Sequence, residues 1–328
     1  MALLEINKIN AYYIHNIQKT RAVENVSLSV EDDEIIGIAG ESGCGKSTLV
    51  KTIYGAIEPP LYLENGSVIY NFKNSNSNAN ITTDNIPLFW WKKISYIPQA
   101  SMNVLNPVRK IKKFFENLWR AHSQDLSFKN YQKLLSTHLE HLGLSVNILE
   151  YYPHQLSGGM KQRVIIGAAS LFHPELIIAD EPTSALDVGV QLDVLRLLLK
   201  IQKESKNTII VVAHDMSVMA NFCTKIAIMY AGNIVEIGKT QDIFSHPLHP
   251  YTKLLIDSLP KIGDKRGLKG IPGSPPDLVS PPSGCRFHPR CPYSFELCKK
   301  VAPMMKEFSP GHQVACHLLE RGESNERK

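Results

Sequence analysis

Hydrophobic and polar positions alternate along residues 3–30, first in LLEINKINAYYI and then in AVENVSLSV. That period of two predicts a pair of half-buried antiparallel strands around a turn. The acidic turn EDDE follows, then the apolar run Ile35-Ile36-Gly37-Ile38-Ala39, which suits a buried central strand. The run ends in a glycine-rich loop and a helix-like stretch, STLVKTIYGAI. Residues 71–87, rich in Asn and Ser, read as a surface loop. From about 104 to 142 the period becomes helical, with Tyr131, Leu134, Leu135, His138, Leu139 and Leu142 at helical spacing. On that pattern His138 and His141 are expected on the helix surface. After residue 157 helices alternate with the apolar runs LIIAD, TIIVVA, KIAIMY and NIVEIG, which predicts an α/β core with a parallel sheet. Beyond residue 260 the string IPGSPPDLVSPPSG reads as extended and linker-like, and the tail RGESNERK as frayed.

Composition changes this picture little. The 328 residues are 43% hydrophobic and 20% charged with a net charge of +5, ordinary for a globular chain long enough for more than one folding unit. No run of 18 apolar residues occurs and the start has no basic, then apolar, leader, so the chain is expected to work in the cytoplasm without a membrane span. Six cysteines in a reducing compartment point to metal binding rather than disulfides.

Two stretches carry phosphate chemistry. Gly40-Glu41-Ser42-Gly43-Cys44-Gly45-Lys46-Ser47, followed by Thr48, fits G-x-x-x-x-G-K-[ST] between a strand and a helix. Glycines let backbone N–H groups turn inward around a phosphate, and the helix N-terminus adds partial positive charge. Lys46 would reach the β- and γ-phosphates, and the Ser47 hydroxyl would ligate Mg²⁺. Cys44 sits where a helix N-terminus can lower a thiol pKa, although a small side chain that fits is the simpler account. In LIIADE, Asp180 emerges at a strand end as the Mg²⁺ anchor and Glu181 as the general base that polarises water. Ser157 and the glycines after it would open a second helix N-terminus, another anion site.

The segment Leu156-Ser157-Gly158-Gly159-Met160-Lys161-Gln162-Arg163 closely resembles the signature of ABC-type ATPases. Other family marks fall in order. Gln99 in YIPQAS resembles the Q-loop glutamine, which also approaches the Mg²⁺ and the reacting water. Ser184-Ala185-Leu186-Asp187 resembles the D-loop, and His214 in VVAHDMS the switch histidine. Tyr13 stands where the family stacks an aromatic on adenine, with Tyr12 the second choice. The resemblance implies an α/β P-loop NTPase of the ABC ATPase type, with an antiparallel β subdomain and a helical subdomain at about 100–165. It implies an ATP-binding domain over residues 1–260. It further implies a head-to-tail pair in which Ser157, Gly158, Gly159 and Gln162 of one subunit close on ATP held by the other. The family often has Gly in the turn before the first core strand; here Asp32-Asp33-Glu34 stands there, and Asp tolerates left-handed backbone better than most residues.

Cys285, Cys291, Cys298 and Cys316 remain. Four thiolates can hold a zinc ion or an iron–sulfur cluster, and gaps wider than zinc's usual C-x2–4-C lean toward [4Fe–4S], with Zn²⁺ the alternative. His288 and His317 lie beside these positions and are expected as neighbours rather than ligands. The string IPGSPPDLVSPPSGCRFHPRCPYSFELC, with LNP at 105–107 and YYPHQLSGGMKQR, resembles ATP-binding subunits of oligopeptide/dipeptide importers and their C-terminal extension, here 261–328. Some members of that group carry a [4Fe–4S] cluster on four cysteines so arranged. A structural staple for a small Pro-rich segment is the simpler role of such a site; a redox switch is the sharper one.

The resemblance implies a peripheral subunit on the cytoplasmic membrane face. It would hydrolyse ATP to drive di- or oligopeptide uptake, with oligosaccharide or nickel as alternative cargo. Its partners would be a second ATPase subunit (a paralogue, giving a heterodimer), two membrane permease subunits and, indirectly, a solute-binding protein. The basic, aromatic stretch RKIKKFFENLWR would lie at the permease contact or form an ordinary surface helix. A soluble ABC ATPase acting on nucleic acid or ribosomes is disfavoured by the single phosphate loop and the lack of heptads, so no nucleic-acid partner is expected. An electron carrier with a vestigial nucleotide fold is disfavoured by intact Lys46, Asp180, Glu181 and His214.

Overall fold

The computed structural model describes residues 2–73, 81–99, 103–122, 126–184, 186–259 and 270–319. The middle of the Asn/Ser-rich loop, Ala185 and the RGESNERK tail lie outside them. The chain forms two compact units, one from Met1–Asn71, Asn80–Asp84 and Val212–Lys328, the other from Phe72–Ala79 and Asn85–Val211.

In the first unit, β1 (Ala2–His15) pairs antiparallel with β2 (Gln18–Glu31) and with β4 (Leu61–Tyr70), in the order β2-β1-β4. Leu4, Ile6, Ile9, Val26 and Val30 on these strands are buried, as the alternation requires. The turn into β3 (Ile35–Ala39) places Asp33 at φ 61, the left-handed conformation for which the sequence offers Asp in place of Gly. All five residues of β3 are buried. It runs parallel to β8 (Lys225–Tyr230), which pairs antiparallel with β9 (Asn233–Lys239). The helices α1 (Lys46–Tyr54), α6 (Met216–Phe222), α7 (Thr240–Ser245), α8 (Pro250–Asp257) and α9 (Glu296–Lys300) complete this unit.

Past residue 270 the extension has no regular structure until α9, in keeping with its proline content. Two short strands that the sequence reading did not anticipate follow, β10 (Lys306–Ser309) and β11 (His312–Val314). They continue the sheet in the order β10-β11-β9-β8-β3. Fully exposed β10 has no apolar face to announce it; its backbone pairing does the work that side-chain burial does elsewhere.

In the second unit, β5 (Ile94–Ile97) runs parallel to β6 (Leu176–Asp180), and β7 (Thr208–Val212) lies on the other side of β6. The helices are α2 (Ile111–His122), α3 (Phe128–His141), α4 (Gly158–Ser170) and α5 (Val188–Ser205). The helical period begins at Ile111 rather than 104, because residues 103–110 turn around Pro107. Tyr131, Leu135 and Leu139 form the buried stripe of α3. His141 is exposed as expected, whereas His138 is half-buried. Its Nε2 lies 3.1 Å from the Gly167 carbonyl and 3.0 Å from Ser170 Oγ near the end of α4. Burial lowers its pKa to about 4, so the ring is neutral and donates.

Candidate nucleotide and thiol sites

Within the first unit the glycine-rich loop wraps the ammonium of Lys46. The side chain is 5% exposed, and its Nζ donates to the carbonyls of Gly40 at 2.8 Å and Glu41 at 2.9 Å. Gly45, the residue before α1, has φ 104, and a Cβ there would lie 2.0 Å from the Ala22 carbonyl oxygen. Only glycine fits, and the helix carries no side-chain cap bond. Ser42 and Gly43 are exposed, and Ser47 is half-buried beside them. Thr48 donates to the Tyr13 hydroxyl at 3.3 Å, which ties that aromatic to the phosphate-loop helix. Tyr12 turns away, stacked on Tyr62 at 5.9 Å with the Lys19 ammonium over its ring. Cys44 is buried, and burial raises its pKa despite Lys46, which accords with a small side chain that simply fits rather than an activated thiol. His214 is exposed, and the next residue, Asp215, caps α6 by accepting from the Ser217 N–H at 2.8 Å.

In the second unit the acids sit at the end of β6. Asp180 is 1% exposed rather than open, and the Tyr96 hydroxyl donates to its Oδ2 at 2.9 Å. Gln99 donates from Nε2 to Glu181 Oε2 at 2.8 Å, so the two residues read separately from sequence are brought together. Glu181 has φ 49, a strained position for a residue with a side chain. Ser184 folds back to donate to the Glu181 carbonyl at 3.0 Å, and Asp187 precedes α5 as its cap residue. Ser157 caps α4 and accepts from the Met160 N–H at 3.3 Å. Ser157 is exposed and Gly158 and Gly159 partly so, whereas Gln162, grouped with them in the sequence, is buried at 2% exposure. This unit also carries a groove of about 210 Å³ lined by Leu105, Arg109, Ile111, Phe114 and Pro153 among others.

The four cysteines of the extension line one cavity in the first unit, together with His249 and Phe287. Burial pushes the Cys285 thiol up to about 12 and Cys316 up to about 11, and neighbouring thiols add to both shifts. His249 is 1% exposed. Its Nδ1 accepts from the Tyr251 N–H at 3.0 Å, so in the neutral ring Nε2 carries the proton, and that buried donor has no partner among the described residues. His288 bonds the Cys285 carbonyl and His317 the Val301 carbonyl, each through a ring nitrogen. Among the described residues no group of three or more His, Cys, Asp or Glu side chains could hold a single metal ion.

Three residues that sequence reasoning missed matter here. Tyr96 holds Asp180, Tyr251 accepts from the Glu41 N–H at 2.9 Å, and Arg290 pairs with the Glu41 carboxylate at 2.7 Å. The one local signal was an arginine next to a cysteine; the partner of Arg290 lies 249 positions away.

Known proteins share this organisation. The family "ABC transporter" matches residues 23–184, and "Oligopeptide/dipeptide transporter, C-terminal region" matches residues 235–298. The dipeptide transport ATP-binding protein DppD of Caldanaerobacter subterraneus subsp. tengcongensis is 39% identical over 98% of both chains. The oligopeptide transport ATP-binding protein OppD of Salmonella typhimurium is 35% identical over 96% of this chain and 93% of its own. The dimeric ATP-binding cassette MJ0796, solved with ADP and Pi, superposes with a TM-score of 0.61 at 28% identity, covering 72% of this chain and 98% of its own. Among the described residues no helix is long and apolar enough to cross a membrane. The chain belongs to the ABC transporter ATP-binding subunits of the oligopeptide/dipeptide importer family and has the P-loop fold of an ABC-type ATPase.

Proposed function

We propose that this subunit hydrolyses ATP to drive di- or oligopeptide uptake, seated on the cytoplasmic face of two membrane permease subunits and paired with a second ATPase, a paralogue. The names of its relatives support the cargo. The observation that carries the catalytic reading is the pair of preformed half-sites: Lys46 enclosed by a glycine loop, and Glu181 held by Gln99 at a strand end.

In this reading Gly40, Glu41, Ser42, Gly43, Cys44 and Gly45 present backbone N–H groups to the phosphates, Lys46 exchanges its carbonyl partners for phosphate oxygens, and Tyr13 stacks on adenine. Ser47, Gln99 and Asp180 are hard oxygen donors, the set Mg²⁺ prefers, and the ion would neutralise phosphate charge when bound. Glu181 accepts the proton of the attacking water while Gln99 fixes its carboxylate, and His214 steadies the γ-phosphate. Ser157, Gly158 and Gly159 reach the nucleotide held by the partner, and the Ser184–Asp187 loop lines the same interface. Most of the catalysis is positioning and charge stabilisation. The groove beside Phe114 is the permease contact.

Glu181→Gln tests the reading. The variant is expected to bind ATP, to hydrolyse it at least about 100-fold more slowly, and to accumulate as an ATP-bound dimer in size-exclusion chromatography. Unchanged turnover removes Glu181 from its role.

The thiol cavity is assigned to a [4Fe–4S] cluster. Zinc would need its sulfurs about 2.3 Å from one point, whereas a cluster accepts more widely spaced thiolates. The unpartnered N–H of His249 suits a sulfur acceptor. The raised thiol pKa values mean that loading releases protons and is favoured at higher pH. Anaerobically purified chain should show broad absorbance near ~400 nm with bound iron; stoichiometric zinc without iron overturns the assignment.

A further inference from the structure

Glu41 is held at three groups. Its carboxylate takes a two-point bond from the Arg290 guanidinium, at 2.7 and 3.0 Å. Its N–H donates to the Tyr251 hydroxyl at 2.9 Å, and its carbonyl is one of the two acceptors of the Lys46 ammonium. Arg290 is not a loose surface charge. Its side chain is 5% exposed, it donates to the carbonyls of Pro272 and Ile271, and it reaches the Tyr230 hydroxyl at 3.3 Å. A planar guanidinium bound in this way fixes the orientation of its partner as well as its charge, which a single ammonium does not.

Both side chains that grip Glu41 adjoin residues that line the thiol cavity. Arg290 directly precedes Cys291. The Tyr251 N–H donates to His249, which lines the cavity, and the Tyr251 ring stands 5.4 Å from that of Phe287, another lining residue. The next arginine in the segment, Arg286 beside Cys285, bonds the Ala231 carbonyl and Glu24, so the whole cysteine stretch is anchored to the body of this unit. All of these groups lie in the first unit.

We propose that Arg290 is a positioning residue for nucleotide binding: through Glu41 it sets the phosphate-loop carbonyl that holds Lys46, and it couples that loop to the state of the four-thiol cavity. The proposal rests on the assignment of the loop to ATP. When a triphosphate takes the Lys46 ammonium, the Glu41 carbonyl loses a partner while its side chain stays fixed to Arg290. The bound and free loops therefore pull differently on the segment that carries Cys291. Coupling between two sites is reciprocal in free energy. A ligand bound at the thiols must then alter ATP affinity by the same factor by which ATP alters the affinity for that ligand.

The test uses the full-length chain with free thiols, a fluorescent ATP analogue with Mg²⁺, and maleimide labelling followed by mass spectrometry. Arg290→Lys and Glu41→Gln are each expected to weaken the analogue by about 10-fold, and the double variant no more than either alone, as for two residues acting as one unit. In the unsubstituted chain Mg²⁺-ATP should change the labelling rate of Cys291 by about 5-fold or more. That effect should vanish in Arg290→Lys, which a merely structural arginine would not bring about. The wild-type labelling arm needs no variant to fold. Wild-type affinity in Arg290→Lys, additive losses in the double variant, or labelling indifferent to ATP each overturn the proposal. An unsubstituted chain that binds no analogue at all overturns the nucleotide assignment itself and this coupling with it.

Discussion

Two helix N-termini in this protein bear glycines, yet they are finished differently. α1 begins after Gly45 in a left-handed conformation, with no side-chain cap and a buried lysine as its first residue. α4 begins after Ser157, whose hydroxyl occupies one of the helix's own N–H groups, and its glycines are partly exposed. In the proposed function the first end presents backbone and one cation to a nucleotide within its own unit. The second is a stable, self-capped tip that offers a hydroxyl outward. A chain that, as proposed, holds one nucleotide itself and closes on another only in a pair would use one end of each kind.

The comparison breaks hardest at Gly45. Gly45→Ala puts a Cβ at φ 104 against the Ala22 carbonyl, and ATP affinity measured by titration should fall at least about 100-fold, equivalent to roughly 3 kcal/mol of loop strain. Ser157→Ala should leave ATP affinity of the dilute chain unchanged but lower hydrolysis at concentrations that favour pairing. It should also cost about 1 kcal/mol of stability in urea unfolding through the lost cap. Equal losses of affinity in both variants would erase the distinction between the two ends.

A third effect, read in pH dependence, concerns what holds the far end of α4. His138 is neutral in the fold with a pKa near 4, against 6.5 when free. The unfolded chain therefore binds the proton first, and stability falls as pH drops from 6.5 toward 4. Between pH 6.5 and 5 the loss from this group should be about 2 kcal/mol, and His138→Gln should remove that part of the slope in urea midpoints taken across the range. An unchanged slope would mean that this end of α4 is held by something other than the neutral imidazole.

What was legible in the sequence was what local rules encode. Alternation announced β1 and β2, an unbroken apolar run announced β3 and β6, and the glycine spacing announced the loop before α1. Ser157 was readable as a cap because a hydroxyl before a helix has few other uses there. Burial of Asp180 and His138 was not readable, since each depends on a partner from another element, Tyr96 in one case and Gly167 in the other. Arg290 looked like one more charge in a basic chain. Its partner is fixed only when the extension folds onto β8 and β9, and no local pattern carries that pairing. β10 escaped because a strand exposed on both faces has no hydrophobic period at all.

That outermost hairpin has a consequence for how the chain can be shortened. β11 pairs with β9 through Gln313 opposite Ile237 and Val314 opposite Glu236. A protein cut before Lys306 would lay bare the hydrogen-bonding rim of β9, a strand whose Ile234, Val235 and Ile237 are buried. Such a rim recruits strands from other molecules. Truncation would therefore show itself first as self-association on storage, well before any defect in handling nucleotide.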